Sequence, residues 1–197
     1  MEITNLDINF DFDINLSDYT IICLNPSRVL NEYKNTRYYG YQQKASVRHV
    51  IYNKRLEMLE KGKLISHLPS FYYRYELRLR DKNKVRQFLT CELKRKKILS
   101  EIVFLKEIPS IIKIQKITKC SKHRALQVLD VIAGKITLRC LDKRAKKSVT
   151  EIIQQINDIE LSFDINTLTP YINVCNGEPL KENVLPNKLI GESIMKL

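Results

Sequence analysis

The alternation of apolar and polar residues is clearest at the start of the chain. Across residues 5–12, Leu6, Ile8, Phe10 and Phe12 fall on one side and Asp7, Asn9 and Asp11 on the other, which is the pattern of a half-buried strand. A second strand is predicted at Arg37–Gly40 and a third at Ser46–Tyr52, where Ser46, Arg48, Val50 and Tyr52 share a side. After Pro69 the run FYYRYELRLR alternates again, with Tyr73, Tyr75, Leu77 and Leu79 apolar and Arg74, Glu76, Arg78 and Arg80 polar. Residues 13–35, with Asn, Asp, Ser and Pro26, predict a loop-rich connection holding one short helix. Asn53 to Glu60 predicts another short helix, stopped near Gly62. Strands with only short helical interruptions predict an α+β domain on an antiparallel or mixed sheet, with helices packed on one face.

The period lengthens after Asp81. A helix is predicted from Lys82 to Lys97, and a second from Ser121, as its cap, to Ala133 with Gly134 as its stop. Ser148 and Glu151 have the spacing of a capping box for a third, whose Ile152, Ile153 and Ile156 face a core. The Ser121–Gly134 helix, preceded by Ile117 and Thr118, fits a helix-turn-helix and a plain helical bundle equally well. The chain therefore divides into a sheet region at 1–80, a helical region at 81–156 and an Asn- and Pro-punctuated segment at 157–197.

Charge sharpens this division. The net charge is +12, and from Asp81 to Lys147 there are 19 Lys and Arg against 6 Asp and Glu, so the helical region carries the whole positive excess. That favours an anionic partner, nucleic acid before a membrane surface. No run approaches the roughly 18 apolar residues of a membrane span, and the acidic, alternating N-terminus is the opposite of a secretory signal. Five dispersed cysteines without a CxxC fit a reducing cytoplasm. His49, His67 and His123 lack the spacing of metal ligands.

Ionisable groups recur on, or just beyond, one side of the predicted strands: Asp7 and Asp11, Arg48 and Tyr52, Lys54 and Glu57, and Arg74, Glu76 and Arg78. Asp7 and Asp11 lie roughly 13 Å apart along an extended strand, so they do not share one ion, but either can join Glu57 and Glu76. Three carboxylates without cysteine or paired histidine suit Mg²⁺ or Mn²⁺. Such an ion beside a tyrosine polarises a phosphodiester for attack, with Lys54 and Arg48 offsetting the remaining charge. On spacing alone, the same residues also describe a solvated sheet face with surface ion pairs.

The stretches TNLDINFDFDINLSDY, TRYYG, SVRHVIYNKRLE and YYRYELRLR, spanning residues 4–80, resemble the replication initiation factor family of plasmid rolling-circle Rep proteins. The family's pattern runs TRLD, then KYFG, then a YNK block followed by a glutamate, then an R-hydrophobe-E strand. The resemblance implies a fold related to the HUH-type Rep nucleases, with carboxylates in place of the histidine pair. It implies Tyr52 as the nucleophile and Asp7, Glu57 and Glu76 around Mg²⁺ or Mn²⁺. The implied reaction nicks and religates one strand of origin DNA through a phosphotyrosine. The implied partners are single-stranded or cruciform origin DNA, a second copy of the chain and a host replicative helicase.

Two departures shape the expectation. Thr4-Asn5 replaces the family's Thr-Arg, and Met1 lies a few residues before the LD strand, where the family has a long preceding segment. A version lacking the N-terminal half is therefore expected, and the alternative to a nicking enzyme is a derivative that binds origin DNA, or an intact Rep, as a regulator. A basic RNA-binding module is a third reading. DNA contact is expected from Arg74 and Arg78 on the sheet and from Lys94, Arg95, Lys96 and Lys97 in the KRKK run. The aromatic group Phe71, Tyr72, Tyr73 and Tyr75 offers faces for unpaired bases.

Overall fold

A computed structural model describes residues 3–41 and 45–165. The alternating segments form strands β1 (Leu6–Phe12), β4 (Thr36–Tyr39), β5 (Val47–Asn53) and β6 (Tyr73–Leu79). With β3 (Leu30–Tyr33) they make an antiparallel five-stranded sheet in the order β1-β6-β5-β4-β3. One face is apolar: Ile8, Phe10 and Phe12 of β1 meet Tyr75, Leu77 and Leu79 of β6 and Val47 and Ile51 of β5. Phe10 and Tyr75 pack with ring centroids 5.5 Å apart. The other face carries the charged residues.

The buried face is covered by a single 3₁₀ turn (Leu16–Asp18), by helices α2 (Lys82–Thr90) and α3 (Glu92–Leu99), and by a two-stranded antiparallel ribbon. The ribbon pairs β2 (Thr20–Cys23) with β7 (Ile102–Leu105). All four residues of β7 are buried. Ile102 and Phe104 enter the core of the sheet, whereas Val103 and Leu105 enter a second core. That second core is built by α4 (Ile111–Thr118), α5 (Lys122–Ile132) and α6 (Lys143–Gln155), through Ile114, Ala125, Val128, Val149 and Ile153. Segment 157–165 returns to the sheet, where Phe163 lies on Phe88 with centroids 5.5 Å apart. Residues 166–197, most of the expected C-terminal segment, lie outside the described residues.

Three predicted elements differ. The loop-rich stretch 13–35 contains β2 and β3 besides its short helical turn. The single helix expected from Lys82 to Lys97 is broken at Cys91, whose backbone is extended. The break turns α3 so that Ile98 and Leu99 reach the core already holding Val85 and Phe88. Arg95 secures the corner, donating to the carbonyls of Phe88 at 2.9 Å and Leu89 at 3.4 Å. The third correction concerns α6, which starts five residues before the supposed cap at Ser148. Asp142 accepts from the amides of Arg144 and Ala145 at 2.8 and 2.9 Å, so Ser148 lies inside the helix, while Ile152, Ile153 and Ile156 are buried as expected.

Helix α1 (Lys54–Glu60) follows β5 directly and buries none of its residues. Its order rests on the cap: the Asn53 side chain accepts from the Leu56 amide at 2.9 Å. Asn53→Ala should cost about 1 kcal/mol. Hydrogen exchange should accelerate at the amides of α1 and leave β5 and β6 protected; equal acceleration in the strands would refute a local role.

Candidate functional site

The register of the sheet determines what meets on the polar face. Asp7, Arg78 and Arg48 lie in one row across β1, β6 and β5; Asn9, Glu76, Val50 and Tyr38 in the next, extending to β4; and Asp11, Arg74, Tyr52 and Thr36 in the third. Tyr52 therefore faces Arg74 directly and reaches Glu76 diagonally. Its hydroxyl donates to Glu76 Oε1 at 2.7 Å. Lys54, the first residue of α1, brings its Nζ to 3.5 Å from the same phenolic oxygen and pairs with Glu57 Oε2 at 2.5 Å. Arg78 holds the other Glu76 oxygen, its Nε at 2.9 Å, and Lys61 holds the second oxygen of Glu57.

The result is a continuous chain of opposite charges, Lys61–Glu57–Lys54, then Tyr52, then Glu76–Arg78. Burial, the hydrogen bond to Glu76 and the charge of that carboxylate together raise the Tyr52 phenol well above its ordinary range, more than the Arg74 charge lowers it. The phenol is therefore a neutral donor whose proton already points at a carboxylate. Glu57 is shifted the other way. Burial alone would raise its carboxyl, but the hydrogen bonds from Lys54 and Lys61 outweigh it and hold the group below the usual range.

The remaining expected residues lie apart. Asp7 is two rows from Tyr52 and pairs with Arg80, Nη2 to Oδ2 at 2.8 Å. Asp11 shares the row of Tyr52 but is gripped by Arg74 at 2.6 and 2.8 Å and accepts from the Tyr72 hydroxyl at 2.9 Å. Arg48 lies two rows from Tyr52, its Nε directed at the Ala45 carbonyl and its guanidinium over the ring of Tyr41, 5.7 Å from the centroid. In α3, Arg95 is committed to the corner described above and Lys96 pairs with Glu92 at 2.7 Å, while Lys94 and Lys97 are exposed. Of the aromatic group, Tyr75 is fully buried and Phe71 is exposed.

Asp7, Glu57 and Glu76 do not fit a metal cage as they stand. Arg80, the two lysines and Arg78 already occupy their oxygens, and the described residues contain no group of three His, Cys, Asp or Glu placed to hold an ion.

Two features were not anticipated. A groove behind Tyr52, on the covered side of β4 and β5, is bordered by Leu16, Ile21, Lys34, Arg37, Asn53 and Tyr73. Arg37 shares the row of the buried Ile51 rather than that of the phenol, and pairs with Glu32 at 2.9 Å. In the β3–β4 turn Lys34 adopts φ +51° and Asn35 follows it, but no glycine marks the hairpin in the sequence. On the buried face, His49 of β5 is fully enclosed between the Tyr75 hydroxyl at 2.7 Å and Glu101 at 3.0 Å. Glu101 also accepts from Arg28 at 2.5 Å and Asn25 at 3.1 Å, and Arg28 donates to the Val47 carbonyl at 2.6 Å. This network ties the loop after β2 and the start of β7 to the back of β5, the strand that carries Tyr52.

Neither the models of known protein families nor the curated proteins give a match to this chain.

Proposed function

We propose that the chain is a DNA strand transferase of the rolling-circle initiator type, with Tyr52 as its nucleophile and a sheet related to that of the HUH-type Rep nucleases. The observation that carries this reading is the 2.7 Å hydrogen bond from the Tyr52 hydroxyl to Glu76, with Lys54 beside it. It occurs at the tyrosine where the resembling family carries its nucleophile. Glu76 takes the phenolic proton as the oxygen attacks phosphorus. The bond from phosphorus to the 3′-oxygen breaks, leaving a 5′-phosphotyrosyl link and a 3′-hydroxyl that acquires its proton from water. Lys54, beside the phenolic oxygen, supplies positive charge for the phosphate. In this reading Glu76 acts as proton acceptor rather than metal ligand. Binding of Mg²⁺ or Mn²⁺ would require Lys54 to leave Glu57 or Arg78 to leave Glu76, and the step above is written without the ion.

Origin DNA, a second copy and a host replicative helicase are the partners proposed by resemblance. The second reading, a DNA-binding derivative that does not nick, is favoured by one observation: every carboxylate near Tyr52 is already satisfied by a cation.

The test is to incubate the chain with labelled single-stranded oligonucleotides tiling its own gene and flanks, and to look for label that stays on the protein after denaturation. A covalent adduct supports the enzyme. Binding without any adduct supports the derivative. Glu76→Gln should slow adduct formation by about 10²–10⁴-fold with DNA affinity unchanged; parallel loss of binding and adduct would assign Glu76 a structural role instead.

A further inference from the structure

We infer that α4, the turn after it and α5 form a helix-turn-helix that seats the first half of α5 in the major groove of duplex DNA. The inference stands on residues remote from Tyr52 and does not depend on the nicking chemistry.

The two helices are joined by only three residues, Lys119 to Ser121. Lys119 takes the left-handed conformation at φ +56°, its amide closing on the Gln115 carbonyl at 2.9 Å, while Gln115 Nε2 holds the Cys120 carbonyl at 3.3 Å. Ser121 then caps α5 by accepting from the Arg124 amide at 3.2 Å. The corner is thus bonded at every step, as a fixed angle between two helices requires. Ile114 of α4 and Ala125 and Val128 of α5 are wholly buried, and α6 closes the unit as a third helix through Val149 and Ile153. Ala125 matters by its size, since a larger side chain there would push α5 away from the helices it packs on.

With that face committed, the opposite face of α5 is left to solvent. Lys122, His123 and Leu126 are exposed, and Gln127 is held in place by Arg124, whose Nη1 donates to its Oε1 at 2.6 Å. An eleven-residue helix is roughly 16 Å long and about 10–12 Å across, and the major groove of B-DNA is about 12 Å wide. Charge complementarity identifies the partner. Residues 111–156 contain eight lysines and three arginines against two aspartates and one glutamate. All three acids are engaged: Asp142 caps α6, Glu151 lies 3.9 Å from Lys147, and Asp130, two turns along α5, lies 3.8 Å from Lys135. Exposed Lys113 and Lys116 on α4 and Lys143 and Arg144 at the start of α6 can contact phosphates beside the groove. The same stretch contains no Phe, Tyr or Trp, so it has no platform for stacking unpaired bases. The major groove of duplex RNA is too deep and narrow for a helix. B-form duplex is the remaining nucleic acid that this surface fits.

The experiment uses the full chain, a fluorescent random-sequence DNA duplex, the corresponding RNA duplex and a single strand, with anisotropy as the readout. Sequences enriched from the random duplex then serve as the specific probe. Lys122→Ala with His123→Ala and Leu126→Ala, all at exposed positions, should weaken binding to the enriched duplex at least tenfold and flatten its salt dependence. Lys63→Ala with Lys106→Ala, both exposed and outside the three helices, should change it less than twofold, and Lys122→Arg should retain it. Adduct formation on a short single strand, which measures the Tyr52 reading, should be unaffected by the α5 substitutions. Undiminished duplex binding by the α5 triple variant, preference of the unaltered chain for duplex RNA over duplex DNA, or no enrichment of any sequence would each overturn the assignment.

Discussion

Tyr52→Phe should abolish the covalent DNA adduct, down to background, while leaving DNA affinity within twofold. The substitution removes one oxygen and keeps a partly buried ring on β5, between β4 and β6. What is lost structurally is the hydrogen bond to Glu76, whose other oxygen remains held by Arg78. The stability cost should therefore be about 0.5–1.5 kcal/mol, too small to unfold the sheet. What is lost chemically is a hydroxyl that points at a carboxylate and lies beside Lys54. Mass spectrometry of the trapped adduct should place the nucleotide on the peptide containing Tyr52. An adduct on Tyr38 or Tyr72, which lie on or near the same face, would move the nucleophile. Full activity of the Phe variant would dismiss the tyrosine altogether.

The second large effect lies under the sheet. Glu101→Gln removes the countercharge of Arg28, whose side chain is only 13% exposed, and leaves that cation enclosed. Breaking a buried pair in this way costs about 3–5 kcal/mol. For a chain of this size that corresponds to a fall in Tm of roughly 6–20 °C, readable by calorimetry. The pH dependence adds a second signature. Burial alone would raise the Glu101 carboxyl, but the hydrogen bonds from His49 and Arg28 and the Arg28 charge overcome it and hold it at about 2, against an ordinary 4.5. Its stabilisation is therefore complete above pH 4.5 and is lost as pH falls towards 2. His49 is lowered from 6.5, chiefly by burial, so it also withdraws stability on acidification, beginning near pH 6.5. The unaltered protein should weaken through both windows, and Glu101→Gln should flatten the lower one. A variant with unchanged Tm would mean that the network is not holding β5.

The parts of the fold that could be read from the sequence share one property: one face wet and the other dry. β1, β5 and β6 satisfy it, and their alternation located each to within a residue or two. β2 and β7 do not, because the ribbon is sandwiched between two interiors; IVFL reads as an unbroken apolar run with no period to detect. β3 fails for the opposite reason, all four residues being exposed. The break between α2 and α3 was hidden because Cys91 is neither glycine nor proline. Within the site, same-face logic correctly gathered Tyr52, Lys54, Glu57 and Glu76. It could not exclude Asp7 or Arg48, since period alone says which face a residue occupies and not which row. The row depends on register, and pairing Leu6 with Leu79 carries Asp7 to the end of the sheet far from Tyr52. The Ser121–Gly134 helix stayed open between a helix-turn-helix and a plain bundle, because α4 is short and its exposed Ile112 and Ile117 blur its amphipathic stripe.

The two-faced strand β7 has a consequence for how the chain could measure DNA. A nuclease and a DNA reader joined by a flexible tether can sample many separations, and the cut would then wander with respect to the recognised sequence. Here the joint is a shared wall, with Ile102 and Phe104 built into one room and Val103 and Leu105 into the other. With the two proposals above, such a wall turns the chain into a ruler, in which the distance from the α5 face to the Tyr52 hydroxyl would be set by the fold.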